Sequence, residues 1–235
     1  MFAKIRFYYG AATISLIAAG IMVPLMMLFK HKTNIILHKY NALILKLLGG
    51  KIETTGTRDN SVDIFAMNHQ GIIDIIAMEA AELSNIRWVA KKELFDAPWF
   101  GYLLKLPNMV CVDRENRAGL IKLLKDAKAT QEGEEHRILG IFPEGTRTNK
   151  QELLPFKSGT RIMAEKLQLR IQPVIITNSK RLLNEHNKTA HATTVHLTYL
   201  EPFTVDGSNP QWYENLQTQM QEQIDKEHEL YQRER

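Results

Sequence analysis

From Lys51 onward the chain alternates between short apolar runs and longer stretches with a helical period. The short runs predict strands near 51–55, 62–67, 86–91, 109–113, 137–142, 171–177 and 193–200. The longer stretches predict helices near 72–83, 98–106, 117–131, 158–168 and 210–230. This alternation argues for an α/β fold, a mixed and largely parallel sheet flanked by helices. The last helix has a clear start, Asn209 as cap and Pro210 in the first turn, and an apolar stripe of Tyr213, Leu216, Met220 and Ile224.

The first fifty residues read differently. Phe7 to Phe29 is a 23-residue stretch without a charged side chain, with Lys4 and Arg6 before it and Lys30, His31 and Lys32 after it. About 20 apolar residues cross the hydrocarbon core of a bilayer. The run continues past Ala18-Ala19-Gly20 to Leu28-Phe29 without a polar exit, so a retained anchor is expected rather than a cleaved signal. Pro24 interrupts the helical ladder, so a re-entrant or tilted insertion stands beside a simple span. A second helix is expected over 34–48, with Ile36, Tyr40, Leu43, Ile44, Leu47 and Leu48 on one face. Such a helix either lies in the headgroup layer or packs on the core. Gly49-Gly50 ends it. The expected organisation is therefore an N-terminal hydrophobic, membrane-binding helical element over 1–50 and an α/β domain over 51–235.

Charge sharpens that division. The 235 residues carry 30 basic and 26 acidic side chains, a net of +4. Residues 1–52 hold seven basic residues and no acid, whereas 53–235 carry a net of −3. Positive charge beside the most apolar segment suits an anionic lipid surface and argues against nucleic acid. The single cysteine, Cys111, excludes an intrachain disulfide and a multi-cysteine metal site. It is consistent with a reduced, cytosol-facing domain. No metal is expected, since there is no His-Glu-x-x-His and the histidines are scattered.

Chemistry collects first at Met67-Asn68-His69-Gln70-Gly71-Ile72-Ile73-Asp74. A histidine on the turn after a buried strand stands where α/β enzymes carry their chemistry. Asp74 is five residues on, and a non-helical turn at Gly71 lets its carboxylate orient the imidazole. On spacing alone this is either a base-plus-orienter dyad or a turn histidine beside a helix cap. The second cluster is Phe142-Pro143-Glu144-Gly145-Thr146-Arg147, after the apolar run 138–141. Arg147 offers a planar fork for phosphate oxygens, and Gly145 permits close approach to the backbone. Glu144 either accepts bonds from hydroxyls or holds Arg147.

Taken together, Asn68-His69-x-x-x-x-Asp74 and the later Pro-Glu-Gly-Thr-Arg turn resemble the glycerolipid acyltransferase family, most closely its bacterial 1-acyl-sn-glycerol-3-phosphate acyltransferases. Further blocks agree: Val89-Ala90-Lys91-Lys92-Glu93-Leu94, Phe100-Gly101, Val112-Asp113-Arg114, Phe156-Lys157-Ser158-Gly159 and Pro173-Val174. The resemblance covers about residues 60–178 in order. One departure is Asn108, after Pro107, where the family usually has glycine. Asn tolerates left-handed backbone, whereas Pro107 is expected to push Leu106 toward an extended conformation.

The resemblance implies that His69 deprotonates a glycerol hydroxyl that attacks an acyl thioester, with Asp74 orienting His69. The thiol then leaves without an acyl-enzyme. It implies Lys91, Arg114 and Arg147 as cations for the phosphate and the developing oxyanion, and Glu144, Gly145 and Thr146 as acceptor-binding. Asn68, Gly71, Pro143, Lys157 and Pro173 support the motifs. No bound cofactor is implied; the donor is an acyl-CoA or an acyl-[acyl carrier protein], and in the latter case the carrier protein is a partner. Lysophosphatidic acid and membrane lipids are the other expected partners, at the cytoplasmic (inner) membrane. Glycerol 3-phosphate or another lysolipid is the alternative acceptor, and a non-catalytic lipid-binding protein is the alternative of another class.

Overall fold

The computed structural model describes all residues except 114–116, 134–136, 206 and 234–235. The chain opens with helix α1 (Phe2–Ile17), a π-helical turn (Ala18–Met22) and α2 (Val23–Leu28). Proline removes one ladder donor and its ring crowds the carbonyl four residues back, and the π turn ends just before Pro24. At Phe29 the backbone leaves the helix (φ −122°, ψ 62°), and after a 3₁₀ turn α3 follows (Thr33–Leu47).

The remaining elements are β1 (Gly50–Thr55), β2 (Ile64–Met67), α4 (Ile72–Ala81), β3 (Ile86–Lys91), α5 (Lys92–Asp96) and α6 (Phe100–Lys105). Then come β4 (Val110–Val112), α7 (Arg117–Gln131), β5 (Ile138–Ile141), α8 (Ser158–Leu167) and β6 (Arg170–Thr177). The chain continues with α9 (Ser179–Leu182), β7 (Thr193–Tyr199), β8 (Phe203–Thr204) and α10 (Trp212–Arg233). The strands form one sheet in the order β1-β7-β6-β2-β5-β3-β4, with β8 on β6. Strands β6, β2, β5, β3 and β4 are mutually parallel, β7 and β8 run against β6, and β1 is parallel to β7. The mixed, largely parallel sheet expected from the alternation is therefore present.

Helices cover both faces. One face packs against the N-terminal helices, α4 and α6 through Met26, Ile36, Ile44, Ile73, Ala77 and Leu104. The other packs against α7, α8 and α10 through Leu123, Met163, Trp212, Leu216 and Met220. A parallel strand covered on both faces is apolar throughout, and β2 and β5 are fully buried along their length.

Three details differ from the sequence-based expectation. The buried stripe of α3 is Ile36, Leu37, Asn41, Ile44, Leu45 and Leu48, while Leu43 and Leu47 face outward. The stripe is rotated because α4 lies on that side, and Asn41 is accommodated by donating to the Leu37 carbonyl at 2.9 Å. The helix expected over 98–106 is preceded by a separate α5, which stops where Ala97 turns extended ahead of Pro98. Leu106 stays helical (φ −64°, ψ −44°) despite Pro107. Asn108 takes the left-handed conformation (φ 54°) just past α6. The N–H groups of Asn108 and Met109 then close on the carbonyls of Lys105 and Leu104, at 3.1 and 2.9 Å. That is a Schellman closure, whose left-handed position is usually glycine.

Candidate active site

Strands β2, β5, β3 and β4 point their carboxyl ends to one edge of the sheet, and the sequence clusters gather there. Asn68, at the end of β2, is buried and bonds Ile176 of β6 through both ends of its amide. His69 follows. Its Nδ1 lies 2.9 Å from Asp74 Oδ2, so Nδ1–H donates to the carboxylate. The same oxygen accepts the N–H groups of Gln70 (2.6 Å) and Gly71 (2.8 Å). Asp74 is completely buried and is the third residue of α4, so its carboxylate folds back over the helix N-terminus. A negative charge is favoured there by the exposed N–H groups and the helix dipole.

Gly71 is extended (φ −168°), a conformation any residue adopts, so left-handed freedom is not why glycine fits here. The reason is room: a Cβ at Gly71 would lie 2.7 Å from Glu185 Oε2. The other carboxylate oxygen of Glu185 accepts the Ile72 N–H at 2.9 Å.

The turn after β5 grips the histidine from the other side. Glu144 is completely buried. Its Oε1 accepts the His69 N–H and its Oε2 the Leu154 N–H, both at 2.8 Å. Burial pushes the Glu144 carboxyl up, the two N–H bonds oppose this, and the nearby Asp74 charge adds to it. Both oxygens serve the main chain, and Arg147 is paired with Glu185 (3.4 Å) rather than with Glu144. Gly145 has φ 71° and its N–H bonds the Phe142 carbonyl at 2.9 Å, a tight turn that favours glycine. Thr146 and Arg147 are exposed beside it. The Thr148 N–H returns to the His69 carbonyl at 3.0 Å, which ties the two turns together. Phe142 stacks on the His69 ring, centroids 3.8 Å apart and planes 12° from parallel.

Lys91 ends β3 and precedes α5 on the same sheet edge, partly exposed. Pro143, Lys157 and Pro173 serve the frame: the Lys157 N–H bonds the Pro143 carbonyl at 2.8 Å, and Pro173 pairs with Ala66 inside the sheet. Arg114 lies outside the described residues. Sequence reasoning missed Glu185, which comes after the recognisable blocks. It also gave no role to Phe142, whose place inside the second motif was the available signal. Among the described residues no group of three or more His, Cys, Asp or Glu is placed to hold a metal.

This constellation can hold an imidazole in one tautomer and orientation, beside a guanidinium at the surface. A family model described as Acyltransferase matches residues 51–177. A 1-acyl-sn-glycerol-3-phosphate acyltransferase of Helicobacter pylori is 42% identical over 186 residues, covering 78% of each chain. One of the same name from Bacillus subtilis is 37% identical over 131 residues, 53% of this chain and 62% of that one. The crystal structure of a 1-acyl-sn-glycerophosphate (LPA) acyltransferase from Thermotoga maritima superposes with a TM-score of 0.74 at 20% identity, over 96% of this chain and 94% of that one. The oriented histidine, the turn that grips it and the sheet beneath them are thus those of a chain that belongs to the acyltransferase family.

Proposed function

We propose that the protein transfers an acyl chain from an acyl thioester to the free hydroxyl of 1-acyl-glycerol 3-phosphate, giving phosphatidic acid. The observation that carries this reading is the 2.9 Å bond between His69 Nδ1 and Asp74 Oδ2. It commits Nδ1 and leaves Nε2 to take the proton of the acceptor hydroxyl. The hydroxyl oxygen attacks the thioester carbonyl, the tetrahedral intermediate collapses, and the carbon–sulfur bond breaks. The proton held on His69 then goes to the departing thiolate, so an ester and a free thiol leave and the histidine is restored. Lys91 is assigned to the developing oxyanion and Arg147 to the acceptor phosphate, next to the Gly145–Thr146 backbone. The donor is a thioester of coenzyme A or of acyl carrier protein, whose reacting group is the same. The names of the Helicobacter and Bacillus relatives support the acceptor.

We place the reaction at a membrane surface, with residues 1–50 as the membrane-binding element and the catalytic part on the cytosolic side. The helical segment Phe2–Leu28 is long and apolar enough to cross a bilayer. Yet it touches the rest of the chain along its length: the Ala3 carbonyl accepts the Ala190 N–H, Arg6 donates to the Leu48 carbonyl, and Met22 and Met26 are buried. A helix held this way lies along the domain and offers its outer side to one leaflet. Phe2, Tyr8, Leu16 and Leu28 are exposed on it. Aromatic and aliphatic side chains of this kind suit the interface.

The test is a transfer assay on the purified chain, crossing both donors with lysophosphatidic acid and glycerol 3-phosphate. His69→Ala should lower transfer by about 10²–10⁴-fold while vesicle binding persists. Arg147→Ala should raise KM for lysophosphatidic acid about 10–100-fold with little change in kcat. Unchanged transfer by His69→Ala would sink the mechanism.

A further inference from the structure

Glu79 is a buried carboxylate for which the transfer chemistry has no use. It sits on α4, the helix that carries Asp74, and its Oε1 accepts the indole N–H of Trp88 at 2.6 Å. Trp88 stacks on Phe142, with centroids 5.4 Å apart and planes 18° from parallel. Phe142 in turn stacks on His69 at 3.8 Å. Three flat rings therefore run in a column from the core to the imidazole, and the carboxylate holds the inner end.

The neighbouring strand is shaped to the same column. Trp88 on β3 pairs with Gly140 on β5. A Cβ at Gly140 would lie 2.8 Å from the Trp88 Cε3 and 2.7 Å from Ile86 Cγ2. The bare position lets the indole lie across β5 and reach Phe142.

We propose that Glu79 is a positioning residue for acyl transfer: by holding the Trp88 indole N–H it fixes the Trp88–Phe142–His69 column, and with it the direction of His69 Nε2. The proposal rests on the reading of His69 as general base. A buried indole N–H has to be bonded, so the Trp88 orientation follows the carboxylate. Burial pushes the Glu79 carboxyl up to about 7, against the Trp88 bond and the Arg137 charge. Protonated or not, a carboxyl oxygen accepts the N–H, so the anchor holds on both sides of neutrality.

Steady-state kinetics of the purified full chain, with an acyl thioester and lysophosphatidic acid, test this. Glu79→Ala should lower kcat about tenfold, less than the hundredfold that a 1 Å misplacement costs. Both KM values should stay within about twofold, so the loss falls on kcat. Glu79→Gln, whose amide oxygen accepts the same N–H, should stay within about twofold of the parent. Gly140→Ala, which pushes the indole from the opposite side, should reproduce Glu79→Ala. If Glu79→Ala does not fold, the double variant Glu79→Leu, Trp88→Phe removes both polar partners and should show the same loss of kcat. A loss of thermal midpoint with kcat unchanged overturns the proposal, as does Glu79→Gln falling as low as Glu79→Ala. Transfer retained by His69→Ala defeats the general-base reading itself. Collapse of His69→Ala beside parental kinetics of Glu79→Ala defeats only the role of Glu79.

Discussion

The Asn68 side chain is bonded to the main chain of Ile176 as a strand residue would be. Its Nδ2 donates to the Ile176 carbonyl at 2.9 Å, and its Oδ1 accepts the Ile176 N–H at 2.7 Å. The pairing of β2 with β6 runs to Met67 and Val174, so the amide extends it after the backbone has turned away toward His69. Asn is the side chain that offers a donor and an acceptor in this arrangement.

Asn68→Ala should therefore leave a buried N–H and a buried carbonyl without their partner. Leaving such groups unmade costs about 1–3 kcal/mol each. The expected loss is about 2–6 kcal/mol in urea unfolding, seen as a lower midpoint with an unchanged slope. Asn68→Asp should be at least as damaging, since a carboxylate has no donor for the Ile176 carbonyl.

The spacing of His69 and Asp74 left a dyad and a turn histidine open, and only the companion motifs pointed to the dyad; the contact itself arises because Asp74, three residues into α4, folds back over the helix N-terminus. The strand positions were legible, since fully buried parallel strands read as continuous apolar runs. Strand order was not: β1 pairs with β7, some 140 residues away, and no local pattern encodes that partner. Elements of two to five residues, β8, α9 and α5, are too short to show a period. Glu79 and Trp88 stand singly in apolar runs, and Glu185 follows a segment without motifs. Their importance arises only from contacts between elements.

Asp74→Asn should separate orientation from charge. The carboxylate oxygen that receives His69 Nδ1–H also receives the N–H groups of Gln70 and Gly71. The three donors keep the amide oxygen in that place, so the variant retains the Nδ1–H tautomer and loses the negative charge that stabilises the imidazolium formed on proton transfer. The expected outcome is a fall in kcat of roughly 10²–10⁴-fold with smaller changes in KM. The circular-dichroism spectrum should be retained. Parental kcat in this variant would mean that Asp74 serves only the helix N-terminus.

Glu79 also makes stability depend on pH in a definite direction. Burial raises its carboxyl from 4.5 in the unfolded chain to about 7 in the fold. Between those values the folded chain holds more protons than the unfolded one, so stability falls as pH rises through this window. The contribution is fully present below about pH 4.5 and lost above about pH 7. A shift of this size corresponds to about 3 kcal/mol. Urea unfolding of the parent and of Glu79→Gln at a series of pH values isolates it. The difference in stability between the two should change by up to about 3 kcal/mol between pH 4.5 and 7 and be flat above.

The outward side of the N-terminal helices should carry the membrane affinity. Leu16 and Leu28 are 70% and 75% exposed, while Ile17 and Met26 on the same segment are buried against the domain. Replacing the exposed pair with serine therefore leaves the core packing untouched. Burying a leucine side chain contributes about 1.5–3 kcal/mol, so losing two weakens partition by roughly 10²–10⁴-fold. Sedimentation with anionic vesicles should show that loss, with the thermal midpoint in detergent unchanged. Transfer should fall on lysophosphatidic acid presented in vesicles and persist on the same lipid dispersed in detergent. Binding that depends on Leu16 and Leu28 identifies the outer side of this helix as the membrane face. Binding that survives their replacement moves the attachment elsewhere, to the basic residues Lys30 and Lys32 at the helix turn or to the outward Leu43 and Leu47 of α3.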